Sequence, residues 1–86
     1  MTKYQKIVTS NKKQFIQDCL NLGWEKDRFG NLKKTREDGT VIRIAFRDRV
    51  ARYERKLSTG EWSRLLSAKL EEMKVTENGK LSGFRR

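Results

Sequence analysis

The side chains most able to do chemistry in this sequence are the basic ones between residues 43 and 56. This segment holds six cations and two acids, Asp48 and Glu54, and so has a net charge of +4. The cations are Arg43, Arg47, Arg49, Arg52, Arg55 and Lys56. A guanidinium group donates paired hydrogen bonds to phosphate oxygens and stacks on bases, so five arginines in one short segment predict a nucleic-acid-binding surface. The other interpretation is an ordinary solvated sheet face on which arginine and glutamate pair across strands.

Two smaller basic groups extend this interpretation. Lys33 and Lys34 lie in a region where basic and acidic residues alternate, and we expect secondary phosphate contacts from them at most. Arg85 and Arg86 end the sequence and would add contacts to phosphate.

Aromatic side chains could contribute by stacking on unpaired bases. Trp24, Tyr53 and Trp62 are the candidates. A small domain needs its aromatic residues for its own core, so we expect core positions for all three.

Catalytic and metal-binding chemistry has little support in the sequence. Histidine is absent, which removes histidine acid–base catalysis and zinc sites built from Cys and His. No phosphate-cradling glycine-rich loop is present, and the carboxylates follow no metal-binding spacing. Cys19, the single cysteine, lies on the apolar stripe of a predicted helix, where a buried thiol is expected. We predict a protein that is not an enzyme and has no cofactor and no bound metal.

The composition predicts one small, strongly basic domain. The chain has 86 residues and a net charge of +10, which attracts polyanions. We expect residues 1–86 to form a single domain with flexible ends at about 1–3 and 85–86. A lone cysteine, no apolar run long enough to cross a membrane and no signal-peptide pattern together favour a cytoplasmic location.

The elements that must position these side chains are a helix and a sheet. Helical spacing of apolar residues predicts a helix over about 11–22 that ends at Gly23. These apolar residues are Phe15, Ile16, Cys19 and Leu20. Residues 4–9 are compatible with a short strand. Alternation in 40–47 and a return over 50–57 predict a hairpin that places Arg43 and Arg47 opposite an apolar face, with Arg52 and Lys56 beside them if Tyr53 points inward.

The remaining strands follow from turn signals. Gly30-Asn31, Asp38-Gly39, Ser58-Thr59-Gly60 and Asn78-Gly79 each mark a turn. Residues 61–74 permit two interpretations, either a strand at 61–66 followed by a short helix near 68–74, or one long helix. The predicted fold is therefore α+β, with an antiparallel sheet of four to five strands, one N-terminal helix on one face and a short C-terminal helix as an open alternative.

These observations lead to two functional expectations. The first is a non-catalytic module that binds the phosphate backbone of DNA or RNA through an arginine-rich sheet face. The second is a small adaptor or inhibitor, of the type found in phages and plasmids, that docks on an acidic protein or a ribonucleoprotein. A membrane partner is not expected, since the sequence has no basic amphipathic helix.

Overall fold

The computed structural model describes residues 2–86 and has the predicted α+β architecture. Helix α1 (Lys3–Asn21) is followed by five strands in one antiparallel sheet: β1 (Glu25–Lys26), β2 (Leu32–Thr35), β3 (Val41–Arg47), β4 (Val50–Lys56) and β5 (Trp62–Lys69). The strands lie in the sheet in the order in which they occur in the chain. A second, two-stranded sheet, β6 (Lys74–Val75) and β7 (Leu81–Ser82), completes the fold.

Helix α1 begins eight residues earlier than the apolar spacing predicts. Thr2 is its N-cap: the Gln5 N–H donates to Thr2 Oγ1 at 3.1 Å, and the Thr2 N–H donates to Gln5 Oε1 at 2.8 Å. This reciprocal capping box satisfies backbone donors that have no partner within the helix. The strand considered for residues 4–9 is therefore wrong, because those residues form the first turns of α1.

The same tight turn connects four pairs of strands. In each turn, the carbonyl of the first of four residues accepts a hydrogen bond from the N–H of the glycine in fourth place. The N–H of that first residue donates to the carbonyl of the residue after the glycine. Each glycine has a φ between 78° and 90°, a left-handed conformation that completes a type I turn with a bulge. The four turns are 27–30, 36–39, 57–60 and 76–79. All four predicted turn signals are thereby confirmed.

One face of the sheet is covered by α1 and by the β6–β7 hairpin, and we call it the covered face. Ile42 and Ile44 of β3 are buried there, and Tyr53 of β4 lies opposite Ile44 as the predicted hairpin requires. From α1, Phe15 and Cys19 are fully buried against this face. Five aromatic rings at centroid separations of 6.0–6.5 Å run through the interior in the order Trp24, Tyr53, Phe84, Phe15 and Phe46. Leu20 is the exception among the predicted core residues of α1, since it is 37% exposed.

The segment after β5 is a turn and contains no helix. Strand β5 continues to Lys69, and the N–H groups of Glu72 and Met73 then donate to the Lys69 carbonyl. The alternative of a short helix near 68–74 is therefore wrong. This turn is held to α1 by Asn11, whose Nδ2 donates to the carbonyls of Leu70 at 2.5 Å and Met73 at 2.9 Å.

The chain end folds back beside the turn. At Gly83 the backbones approach so closely that a Cβ would lie 2.5 Å from the Glu72 carbonyl oxygen, so only glycine fits. Phe84 then packs against Phe15 and Tyr53. Arg85 exchanges two backbone hydrogen bonds with Ser67, at 2.7 and 2.8 Å.

The segments 1–3 and 85–86, which we expect to be flexible, include residues with a place in the secondary structure. Thr2 and Lys3 belong to the start of α1, and Arg85 is paired with β5. Residue 1 lies outside the described residues.

Replacing Asn11 by alanine should destabilise the domain. The Leu70 and Met73 carbonyls would lose the donor that links them to α1, and an unsatisfied, partly buried acceptor costs about 1–3 kcal/mol. Urea denaturation followed by circular dichroism measures this change in the free energy of unfolding. Gln14→Ala is the matched control, because exposed Gln14 makes only one side-chain hydrogen bond, to Asp18 at the surface, and its loss should cost less than about 0.5 kcal/mol. Equal midpoints for the two variants would contradict this role of Asn11.

Candidate nucleic-acid interface

The face of the sheet turned away from α1, which we call the open face, collects most of the predicted basic side chains. Side chains alternate between faces along a strand, and antiparallel partners share a face. The register then places eight cations on the open face: Lys33, Arg43, Arg47, Arg52, Lys56, Arg64, Lys69 and Arg85. Only two acids share this face, Glu25 and Glu54, so its net charge is +6.

The centre of the open face is a neutralised pair. The Nε and Nη2 atoms of Arg43 donate to Glu54 Oε1 at 2.9 and 2.6 Å. Their side chains are only 16% and 9% exposed. The Arg43 guanidinium also lies 4.1 Å from the centre of the Trp62 ring. A charge removed from water this far requires such partners, so Arg43 supports the surface and is not free to bind a phosphate.

The other open-face cations have no acidic partner. Within residues 2–86, Arg43–Glu54 is the single ion pair closer than 4.0 Å. Six exposed side chains that belong to this face alone therefore have no carboxylate within 4.0 Å: Lys33, Arg47, Arg52, Lys56, Lys69 and Arg85. Like charges gathered on one side of a small protein sum to a positive potential that attracts polyanions.

Four of the residues predicted for the interface lie elsewhere. Arg55 faces the helix side of the sheet, because it pairs with buried Ile42. Arg49 occupies the β3–β4 turn, with its guanidinium 5.6 Å from the Tyr4 ring. Lys34 lies on the covered side and donates to the Leu22 carbonyl. Arg86 is also on the covered side, because its neighbour Arg85 pairs with Ser67 on the open face.

Sequence reasoning missed two open-face cations, Arg64 and Lys69. Arg64 pairs with Glu54 across β4 and β5 and shares the open face with Trp62, whereas the expected core position of Trp62 turned this side of the predicted strand inward. Lys69 pairs with Val50, but the helical spacing of Leu66, Leu70 and Met73 assigned it to a helix. No signal in the sequence alone separated these two assignments.

None of the aromatic residues considered for base stacking offers a free ring to the open face. Trp24 is 6% exposed and packs edge-on against Tyr53, with ring centres 6.5 Å apart. Tyr53 belongs to the covered face, and Arg36 Nη2 donates to its hydroxyl at 2.6 Å. Trp62 is half-buried on the open face beneath Arg43. The open face therefore offers cations to a ligand, without a free aromatic platform.

Cys19 and the carboxylates are the remaining groups that could react or bind a metal. Cys19 is fully buried, and burial raises the pKa of its thiol to about 12. No three His, Cys, Asp or Glu side chains in this part of the chain come together as metal ligands. Helix α1 lacks the apolar length that a bilayer crossing requires.

Comparison of the chain with protein-family models, curated proteins and solved structures found no match.

Removing the carboxylate of Glu54 should lower the free energy of unfolding of the domain. Glu54→Gln leaves the shielded Arg43 charge without its counter-ion, and we expect a loss of about 2 kcal/mol, below the roughly 3–5 kcal/mol for fully buried pairs. Chemical denaturation gives the value. The double variant Arg43→Met with Glu54→Leu should recover most of this stability, because no unpaired charge remains. Exposed Glu61→Gln is the control, and an equal effect there would refute the role of the pair.

The buried thiol of Cys19 should make stability fall at alkaline pH. In the unfolded chain the thiol ionises near its ordinary pKa of 9.0, whereas in the folded chain it stays protonated to about 12. Its contribution is complete below pH 9 and is lost as pH rises from 9 to 12, because only the unfolded state then releases the proton. Between pH 8 and 10, wild type should lose about 1 kcal/mol more than Cys19→Ala in denaturation experiments. If the stability of wild type and of Cys19→Ala falls equally with pH, the effect of the buried thiol is contradicted.

Proposed function

We propose that this chain is a non-catalytic nucleic-acid-binding domain whose open face binds the phosphate backbone of DNA or RNA. The observation that carries the proposal is the set of six exposed cations on one face with no carboxylate partner in the described chain. The one ion pair within residues 2–86, Arg43–Glu54, lies partly buried at the centre of this face. A surface left this positive repels itself and is stabilised by a polyanion.

The size of the open face gives the length of the bound strand. Its cations extend from Lys33 on β2 to Arg85 beside β5, across four gaps between neighbouring strands. At about 4.8 Å for each gap, this distance is roughly 19 Å. A nucleic-acid strand rises about 3.4 Å per nucleotide, so about five or six phosphates lie within reach.

Binding of this kind does not depend on base sequence. Arginine and lysine contacts to phosphate fix the position of a strand without reading its bases. The aromatic ring on this face, Trp62, is covered by Arg43. We therefore expect similar affinities for unrelated sequences of the same length.

The salt dependence of binding tests the mechanism. With about six phosphate contacts, the slope of log affinity against log salt should be near −4 for single strands and near −5 for duplexes. Fluorescence anisotropy with labelled 20-nucleotide probes measures it. Tight binding with almost no dependence on salt would refute the proposal.

Charge reversal locates the surface. Arg47→Glu with Arg52→Glu should lower affinity at least tenfold for every sequence and make the salt slope less steep by about 1.4 for single strands, since two phosphate contacts are lost. Lys6→Glu with Lys13→Glu changes the net charge equally on the exposed side of α1 and is the matched control, expected to stay within about threefold of wild type. Equal weakening by both pairs would mean that net charge, and not the open face, governs binding. Circular dichroism confirms that the variants fold.

An acidic protein or a ribonucleoprotein is the alternative partner, because the same cations would attract it. In that case the chain acts as an adaptor or inhibitor. This alternative would replace the proposal if oligonucleotides do not bind while a discrete protein stays bound after nuclease treatment. The Arg47 and Arg52 reversals should then release that protein.

A further inference from the structure

A cavity of about 780 Å³ lies beside the outer edge of β5, mainly on the covered side of the sheet. Four cations line it: Arg36, Arg64, Lys80 and Arg86. They come from the β2–β3 turn, β5, the β6–β7 turn and the chain end, so the cavity exists only in the folded domain. Its volume falls within the range of about 300–1,000 Å³ that holds small organic ligands.

The floor of this cavity is apolar and aromatic. Tyr53 and Phe84 contribute rings whose centres are 6.3 Å apart, and Leu66 lies beside Tyr53 on the neighbouring strand. The Arg36–Tyr53 hydrogen bond of 2.6 Å fixes the position of the tyrosine hydroxyl. At the rim, Leu65 is 39% exposed. Leu65 occupies the irregularity where the register of β5 against β4 shifts, and such a bulge bends an edge strand and redirects its side chains.

The charged residues that line the cavity are all positive. No residue lining it is acidic, and none of its four cations forms an ion pair within residues 2–86. An inorganic anion alone would leave the aromatic floor wet, and a neutral hydrophobic molecule would leave four cations without a partner. The ligand that satisfies both parts has a flat ring joined to a phosphate.

We propose that this cavity binds one nucleotide, with its base against Tyr53 and Phe84 and its phosphate among the four cations. Base–aromatic contacts and guanidinium–phosphate bonds are the two interactions that the lining residues offer. Two sources have this chemistry: a free mononucleotide, and the terminal phosphorylated nucleotide of a bound strand.

Arg64 connects the cavity to the open face. The register puts it beside Glu54 on the open face, and its side chain also lines the cavity. A strand on the open face that crosses the edge of β5 would place its last nucleotide at this position. This second source rests on the proposed function, whereas binding of a free mononucleotide does not.

Calorimetric titration with AMP, adenosine and inorganic phosphate tests the site. AMP should bind at least tenfold more tightly than either fragment, because only AMP uses floor and cations together. Lys80→Glu with Arg86→Glu should reduce AMP affinity at least tenfold; both side chains are exposed, so the fold should survive. The Lys6→Glu, Lys13→Glu pair is the control with the same change in net charge, and AMP affinity should stay within threefold.

Hexanucleotides with a 5′-phosphate, a 3′-phosphate or only hydroxyl ends distinguish the two sources. If the ligand is a strand end, one terminal phosphate increases affinity at least fivefold, and the Lys80, Arg86 variant abolishes this difference. If it is a free nucleotide, AMP binds and terminal phosphates add nothing. Absence of AMP binding together with absence of a terminal-phosphate effect overturns the proposal, as does retention of either effect at full strength in the Lys80, Arg86 variant.

Failure of this inference is separable from failure of the proposed function. The Arg47, Arg52 reversal should weaken strand binding and leave AMP affinity within threefold. Suppose that this variant loses strand binding, while wild type shows neither AMP binding nor a terminal-phosphate effect. The proposed function of the open face would then stand, and the proposed nucleotide site in the cavity would fail. If wild type binds AMP but no strand, the nucleotide site would stand and the proposed function of the open face would fail.

Discussion

A five-stranded sheet has two faces, and this chain places most of its buried apolar residues on one of them. The helix α1 and the β6–β7 hairpin bury Ile42, Ile44 and Ala68 on one side. Nothing in the described chain packs over the other side, so its side chains must be compatible with water. In an antiparallel sheet this one-sided burial follows from the pleat, because alternate residues of the same strand face opposite ways. Every feature of the two candidate binding surfaces depends on that division.

On the open face, the division concentrates charge. The strands that supply the core also supply the arginines, since Arg43 and Arg47 alternate with the buried residues of β3. Such crowding is unfavourable by itself, and Glu54 neutralises the charge of Arg43, which lies over the Trp62 ring at the centre of the face. The surrounding cations stay exposed. The pair thus stabilises the sheet while leaving the rim of the face positive, an arrangement suited to a long, flexible polyanion with charges at many points.

The edge of β5 is where the two surfaces meet. Among residues 2–86, only Arg85 pairs with this edge, at Ser67, and the bulge at Leu65 bends the strand next to it. On one side of the edge the surface is flat and cationic, which suits a phosphate backbone. On the other side it is concave, with an aromatic floor, which suits a single base. The two chemistries complement each other, and Arg64 contributes to both.

Local patterns in the sequence determined the class of the fold and much of the open face. Alternation in β3, apolar spacing in α1 and glycine at the turns depend on neighbours only a few residues away, and each was visible in the sequence. The start of α1 was not among these, because the spacing of apolar residues pointed to a later start than the Thr2–Gln5 capping box. Tertiary structure alone decided the rest. Leu66, Leu70 and Met73 follow helical spacing, yet they form a strand and a turn because the sheet edge and Asn11 satisfy their backbone. Whether Arg43 is neutralised depends on the register of β3 against β4, and the cavity joins Arg36 to Arg86 across fifty residues. Contacts between distant segments are set by how the whole core packs, and no local pattern encodes them.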